Sequence, residues 1–184
     1  MNHNLLPTLV AVLAMVAGAA AHAEKARTPT QGGPALEIEV PGGWKSSISR
    51  EGTLVVDSAS GGSRIWLQVL SGPNLSTTPL EQIAGGFFKN IRAGQYSRVD
   101  SQPIDRRASE TYAGAVTSPS GYQVPVVVTL ARLDPQNVAF LAYVSQSRGS
   151  KYTRTFKGIP TTVHGGEDHT LNIIVDEVRI IGFK

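Results

Sequence analysis

The chain has 184 residues, 17 basic and 14 acidic, so its formal net charge at pH 7 is only +3. This mild charge does not favour a nucleic-acid-binding protein, which usually carries a strongly basic face. The sequence contains no cysteine, which excludes disulfides, thiolate metal sites, cysteine nucleophiles and a lipidated N-terminal cysteine. We therefore expect a single domain whose stability comes from its hydrophobic core.

The first 23 residues have the pattern of a secretory signal peptide. Residues 5–21 are apolar or small apart from Thr8, and the segment ends in Ala-His-Ala, a small-x-small pattern that signal peptidase accepts. The apolar stretch is short for a membrane span, and charged residues follow at once from Glu24. We expect cleavage after Ala23, export to the bacterial periplasm or beyond, and no transmembrane segment in the mature protein. Because residues 1–4 contain no Lys or Arg, a retained N-terminal anchor is an open alternative.

The exported chain begins with strand patterns. Residues 24–35 are rich in Thr, Pro, Gly and Gln and predict a flexible leader, which is followed by a single domain at 36–184. Alternating or β-branched patterns then predict strands at 36–40, 53–57 and 64–70. The last of these strands is apolar on both faces, so we expect it to be central in a sheet that is covered on both sides.

A helix is predicted directly after the third strand. Thr78 and Glu81 fit a capping box around Pro79, and Gly94 would follow the helix as its C′ residue. One apolar face is formed by Leu80, Ile83, Ala84, Phe87, Phe88 and Ile91. The Gly85-Gly86 pair costs roughly 1 kcal/mol per glycine relative to Ala, which indicates close packing against the sheet.

The second half of the chain predicts an antiparallel meander and a final helix. Strands are expected at 111–118, 122–132 and 138–146, joined by short turns. A long loop is expected at 148–170, and a C-terminal helix at 171–183, although the many Ile and Val residues of that last segment leave a strand open.

This succession of elements resembles the PsbP-like superfamily. The resemblance rests on a strand that runs into Pro-x-Gly-Trp at 40–44, the amphipathic helix, the meander and the ending Ile-Ile-Gly-Phe-Lys. The superfamily groups photosystem II extrinsic proteins, a Ran-binding nuclear import factor and many small exported bacterial proteins. The resemblance implies an α+β fold, an α/β/α sandwich around a central antiparallel sheet, and a role in binding partner proteins, with no shared catalytic centre.

A basic segment with interleaved aromatic residues is the first candidate site. No acidic residue occurs between Asp134 and Glu167, and such a patch suits a partner protein or an anionic envelope component, such as a lipid head group. The candidate partner-binding residues are Arg148, Lys151, Tyr152, Arg154, Phe156 and Lys157. The alternative is a solvated basic loop that its two aromatic residues anchor to the core.

A second candidate is a divalent-metal site, although no cofactor is required by the sequence. His164, Glu167, Asp168 and His169 bring two imidazoles and two carboxylates together within six residues, a donor set that suits Zn²⁺, Cu²⁺ or Ni²⁺. Their spacing matches none of the usual metal signatures, so a polar surface loop is the alternative.

A third candidate is a carrier of an apolar small molecule that binds between sheet and helix, with Trp44 or Trp66 at the mouth of its pocket. The alternative, which is favoured for large aromatic residues in a domain of this size, is that both tryptophans belong to the core. The usual motifs of serine hydrolases, P-loop proteins and dinucleotide-binding enzymes are absent. We therefore expect an exported protein that is not an enzyme and that acts by binding.

Overall fold

The computed structural model describes residues 23–29, 32–101, 103–145, 151–156, 159–164, 175 and 177–182. Within this part of the chain the one continuous α-helix is α1 (Leu80–Asn90), preceded by a short 3-10 helix at Pro73–Ser76, and Val175 is also helical. The strands are β1 (Glu24–Arg27), β2 (Ala35–Val40), β3 (Lys45–Ile48), β4 (Leu54–Asp57), β5 (Ser63–Ser71), β6 (Tyr96–Val99), β7 (Glu110–Thr117), β8 (Gln123–Asp134), β9 (Asn137–Ser145), β10 (Lys151–Phe156), β11 (Ile159–His164) and β12 (Arg179–Ile181).

The described strands form three sheets in which all neighbouring strands are antiparallel. The largest sheet has seven strands in the order β3-β4-β5-β9-β8-β7-β6, and a second sheet has three in the order β1-β2-β12. Strands β10 and β11 form a two-stranded sheet of their own. Most neighbours are joined by short hairpin connections, whereas the β5–β9 and β2–β12 pairs bring together distant parts of the chain.

The seven-stranded sheet is covered on both faces, as the pattern of β5 predicted. Ile65 and Leu67 belong to the apolar cluster that contains β2, whereas Trp66 packs with the cluster that contains α1. The cluster on the first side includes Leu36, Ile38, Val56, Val127, Leu133, Leu141 and Val178. The cluster on the second side includes Leu80, Ala84, Phe88, Val128, Leu130 and Phe140. The layers are therefore a three-stranded sheet, a seven-stranded sheet and a helix.

The predicted α/β/α sandwich is wrong, because the layer opposite α1 is a β-sheet. The predicted C-terminal helix at 171–183 is contradicted at Arg179–Ile181, which forms β12 and pairs with β2. β-Branched residues suit a strand that buries one face, and Ile180 packs against the first core cluster from the register position opposite Leu36. Val175 is helical, as the prediction required, and residues 171–174, 176, 183 and 184 of the predicted segment and its end lie outside the described residues.

Six predicted strands are confirmed within one or two residues at most ends, as β2, β4, β5, β7, β8 and β9. Six strands were not predicted, namely β1, β3 and β6, the strands β10 and β11 in the predicted loop, and β12 in the predicted helix. β3 and β6 are the edge strands of the large sheet, and none of their residues is fully buried. In β1 only Ala26 is buried. Strands with so few buried positions lack the apolar alternation that identifies a strand, and β1 also shows that the predicted leader at 24–35 is not wholly flexible.

The helix begins one residue later than predicted, so the capping box is wrong. Pro79 is the N-cap residue and no side chain caps the helix. The hydroxyl of Thr78 instead donates to the carbonyl of Asn74 at 2.8 Å. The guanidinium of Arg132, on β8, donates to the carbonyl oxygens of Leu75 and Thr78. The hydroxyl of Thr78, which the capping box required, is therefore bonded within the preceding turn, and Arg132 links this turn to the sheet.

The helix also ends differently, because Arg92 rather than Gly94 takes the left-handed conformation after it. Arg92 has a φ of 54°, and the next amide, that of Ala93, donates to the carbonyl of Phe88 at 2.9 Å. This bond closes the last turn in the manner of a glycine-terminated helix. The prediction failed because it assigned the left-handed conformation to the nearest glycine.

The predicted close packing of the glycine pair holds for one of its members. A Cβ atom on Gly85 would lie 2.6 Å from the hydroxyl oxygen of Tyr96, whereas a Cβ on Gly86 would meet nothing within 4 Å. The ring of Tyr96 stacks on Phe88 with centroids 4.7 Å apart, so this hydroxyl has little room to move. Gly85 is therefore required by packing, and Gly86 is not.

Alanine substitutions at the two glycines should have opposite effects on stability. Gly86→Ala should raise the free energy of unfolding by about 1 kcal/mol, the difference in helix propensity. Gly85→Ala should lower it by about 1–3 kcal/mol, because the new methyl overlaps Tyr96. Adding Tyr96→Phe to Gly85→Ala should recover most of this loss, with Tyr96→Phe alone as the control. Urea unfolding measures all four variants, and equal effects of the two alanines would refute the packing argument.

Candidate functional site

The basic segment forms a hairpin rather than the predicted loop. Between 148 and 170, the structure describes β10 and β11, which pair antiparallel from Lys151↔His164 to Phe156↔Ile159. Neither strand pairs with a strand of the larger sheets within the described chain. The two-stranded sheet is thus a separate unit of backbone hydrogen bonding.

The hairpin register divides the predicted partner-binding residues into two sets. Alternate residues of a strand belong to opposite faces. One set contains Tyr152, Arg154 and Phe156, whose register partners are Val163, Thr161 and Ile159. Lys151 belongs to the other set, and Arg148 and Lys157 lie outside the described residues. The backbone therefore places one cationic and two aromatic positions on one face of the hairpin.

The predicted metal site is described at one residue only. His164 ends β11 and is the register partner of Lys151, whereas Glu167, Asp168 and His169 lie outside the described residues. Among the side chains that the structure describes, no three His, Cys, Asp or Glu residues are grouped so that they can hold a metal ion. The divalent-metal site stays a prediction.

Each tryptophan packs against one of the two core clusters. Trp44 packs against the first cluster and Trp66 against the second. The ring of Trp66 is 6.2 Å from that of Phe87, which is 5.1 Å from that of Phe140. These rings occupy the space between α1 and the sheet, where the predicted carrier would need a cavity, so the core interpretation is favoured.

A charged depression that the sequence did not reveal lies beside β12. It has a volume of about 300 Å³, and the described residues that line it are Pro103, Asp105, Arg106 and Arg179. We call it the arginine depression. Both arginines are exposed, and neither forms an ion pair with a described carboxylate. Two guanidinium groups at one depression can hold a phosphate or carboxylate with planar, bidentate hydrogen bonds.

A tight turn between β6 and β7 places Arg106 in this depression. Ile104 and Arg107 exchange backbone hydrogen bonds of 3.1 and 2.9 Å across the turn. The two residues between them, Asp105 and Arg106, have φ angles of 46° and 68°. Such turns usually contain Asn-Gly, because two successive residues must adopt the left-handed conformation. Sequence reasoning missed this turn because it contains neither Asn nor Gly.

Three contacts fix the turn to the rest of the fold. Ile104 is buried in the first core cluster, and the guanidinium of Arg107 donates to the carbonyl of Leu133 at 2.9 Å. The amide of Ile180, on β12, donates to the carboxylate of Asp105 at 2.9 Å. The last contact joins the turn to β12 and so brings the segment of Arg106 beside Arg179.

The outer face of the three-stranded sheet carries a second group of charges, centred on Glu37. Glu37 is only 8% exposed, and it accepts hydrogen bonds from Arg27 at 2.6 Å and from Lys25 at 3.1 Å. These two bonds hold the pKa of Glu37 below its ordinary value, against the opposing effect of burial. The carboxylate is therefore ionised and paired.

Comparison with known proteins gives distant structural similarity and no match in sequence. No family model and no curated protein matches the chain, so the PsbP-like resemblance is not confirmed. The chain is similar to LpqN, described as involved in cell envelope biogenesis of Mycobacterium tuberculosis, with 14% identity, a TM-score of 0.47, and coverage of 86% of this chain and 91% of that one. Similarity at this level assigns no function. The helices that the structure describes do not reach the length and hydropathy of a membrane span.

Replacing Glu37 by Gln should destabilise the protein at pH 7 by roughly 1 kcal/mol, because two charge-assisted hydrogen bonds are weakened. Since the pKa of Glu37 is lowered on folding, this stabilisation is complete above the unfolded pKa and is lost as the pH falls through the folded pKa. The gap between wild type and E37Q should therefore be constant near pH 6–7 and shrink below about pH 4.

Urea unfolding across this pH range measures the effect. Glu39→Gln is the matched control, because Glu39 is exposed on the same strand, and it should change stability by less than about 0.5 kcal/mol. A gap between wild type and E37Q that keeps its size into strong acid would show that Glu37 acts through packing rather than through its charge.

Proposed function

We propose that this protein is an exported, non-enzymatic binding protein that docks to an anionic component of the bacterial cell envelope through the β10–β11 hairpin. Lipid head groups and lipopolysaccharide phosphates are the envelope groups of suitable chemistry. The observation that carries the proposal is that β10 and β11, in the most basic part of the sequence, pair only with each other among the described strands.

Charge is the first support for this proposal. Arg148, Lys151, Arg154 and Lys157 fall within ten residues, and no acidic residue occurs between Asp134 and Glu167. The segment is thus far more basic than the chain as a whole, whose net charge is +3. Such a local excess attracts anionic surfaces over about one Debye length and accelerates encounter.

The pattern of the hairpin is the second support. Its register puts Tyr152, Arg154 and Phe156 at alternate positions of β10, opposite residues that include Ile159 and Val163. Aromatic residues that flank a cation suit the boundary between polar head groups and acyl chains, where amphipathic rings are favoured. The predicted signal peptide would bring this hairpin to the compartment in which such surfaces occur.

Vesicle co-sedimentation of the exported protein tests the proposal. We expect binding to vesicles that contain 30% phosphatidylglycerol and little binding to pure phosphatidylcholine. The double variant Lys151→Gln/Arg154→Gln should bind roughly 10–30-fold more weakly, since each cation near an anionic surface contributes about 1 kcal/mol. The matched control is Lys45→Gln/Arg50→Gln, which removes two exposed cations elsewhere and should bind like the wild type.

Equal binding by the two double variants would refute the role of the hairpin. Equal binding of the wild type to both kinds of vesicle would refute an electrostatic docking to lipid. If the protein binds no vesicle but is captured by an acidic envelope protein in a K151Q/R154Q-sensitive manner, the partner is a protein and the lipid proposal fails.

A further inference from the structure

We propose that the arginine depression is a second binding site, separate from the hairpin, and that it takes a small anionic sugar whose phosphate or carboxylate group lies beside a hydroxyl. The described residues that line it are not part of the hairpin. Four properties of the depression support this inference, namely two arginines without an ion pair to a described carboxylate, the pairing of Glu37 with other cations, the rigid turn and the size of the depression.

Arg179 has a cross-strand neighbour that would normally neutralise it. It is directly opposite Glu37 in the β2–β12 register, and residues in this relation usually form ion pairs across a sheet. Glu37 instead pairs with Arg27 and Lys25, from the other side of β2. Each of its two oxygens accepts from one of these cations, and no ion pair joins Arg179 to a described carboxylate, so the guanidinium of Arg179 has donors available for another anion.

Arg106 is held in an unfavourable backbone conformation. A left-handed residue other than Gly, Asn or Asp costs about 1–2 kcal/mol, and Arg106 has a φ of 68°. Strain of this kind persists where the surrounding structure enforces it, and it is concentrated at functional sites. Here the buried Ile104 and the bonds from Arg107 and Ile180 enforce it, so the depression exists before a ligand arrives.

Asp105 defines the second part of the ligand. Its Oδ2 accepts the amide of Ile180, so the carboxylate is oriented by the scaffold, and its other oxygen is an acceptor of fixed direction. The carboxylate of Asp105, in the same depression as the two arginines, would repel a ligand that is only an anion, but it would accept a hydrogen bond from a neighbouring hydroxyl. The combination therefore selects an anion that also carries a hydroxyl.

The size of the depression restricts the ligand to about one sugar ring. Its volume of about 300 Å³ is at the lower limit of the range usual for small-molecule sites. Pro103 contributes a rigid apolar surface, against which the face of a sugar ring can pack. A glycerophosphate or a single phosphorylated or carboxylated sugar fits these limits, and a longer saccharide would extend into solvent.

Nuclear magnetic resonance titration of the exported protein tests this inference. The probes are glucose 1-phosphate, glucuronate, inorganic phosphate and glucose. We expect glucose 1-phosphate or glucuronate to shift the amide signals of Asp105, Arg106, Arg179 and Ile180 in a saturable manner, at least ten-fold more tightly than glucose or inorganic phosphate. The side-chain Nε–H signals of the two arginines should shift with them. Preference between the first two probes identifies the anionic group as phosphate or carboxylate.

Variants assign the binding to the arginines. Arg106→Gln and Arg179→Gln should each weaken binding about 3–10-fold, and the double variant should abolish it, while Lys45→Gln/Arg50→Gln removes the same charge and should have no effect. Arg106→Lys/Arg179→Lys keeps the charge without the bidentate fork and should bind more weakly than wild type. The inference is overturned if no probe shifts these signals, if glucose or inorganic phosphate binds as tightly as the anionic sugars, or if R106Q/R179Q binds like the wild type.

Discussion

Two adjacent strands that are apolar on both faces determine the architecture. In β9 every residue from Val138 to Val144 is buried, and β8 is nearly as apolar in its middle. Successive residues of a strand point to opposite faces, so such strands require a covering layer on each side. Helix α1 covers one face, and the sheet formed by β1, β2 and β12 covers the other. An apolar side chain buried in this way contributes about 1.5–3 kcal/mol, which far exceeds the contribution of any surface ion pair.

The charged features depend on this layered core. β12 completes the covering sheet, and Asp105 fastens to it the turn that carries Arg106. The arginine depression is therefore located where the last strand of one sheet meets a turn of the other. The β10–β11 hairpin has a different relation to the core, because it lies between β9 and β12 in the chain but, in the part that the structure describes, pairs with neither. A segment inserted in this manner can vary in charge without altering the register of the buried strands.

The sequence predicted those elements whose own residues are buried in a regular pattern. The double-sided pattern of β5 identified a covered central strand, and α1 was recognised from its apolar face. The edge strands β3 and β6 were missed because neither has an alternating apolar pattern, and only their backbone pairing with a neighbouring strand defines them. β12 was taken as part of a helix because Val175 and Val178 are three residues apart, the spacing of one helical face, whereas Arg179–Ile181 form a strand through pairing with β2, which is distant in the chain. The hairpin residues were selected for their positive charge and interleaved aromatic rings, but their division between two faces required the register. The arginine depression was not predictable, because Arg106 and Arg179 are 73 residues apart and the turn that contains Arg106 has neither Asn nor Gly.

Amide hydrogen exchange of the exported protein tests the central claim, that a doubly covered core carries a separately formed hairpin. The account predicts that amides in the middle of β8 and β9 exchange only through global unfolding, with a free energy equal to that from urea denaturation. Amides of β10 and β11 should exchange at least 100-fold faster, because opening the hairpin breaks no hydrogen bond of the larger sheets. Hairpin amides as strongly protected as those of β8 and β9 would contradict the account, since the hairpin would then belong to the cooperative core.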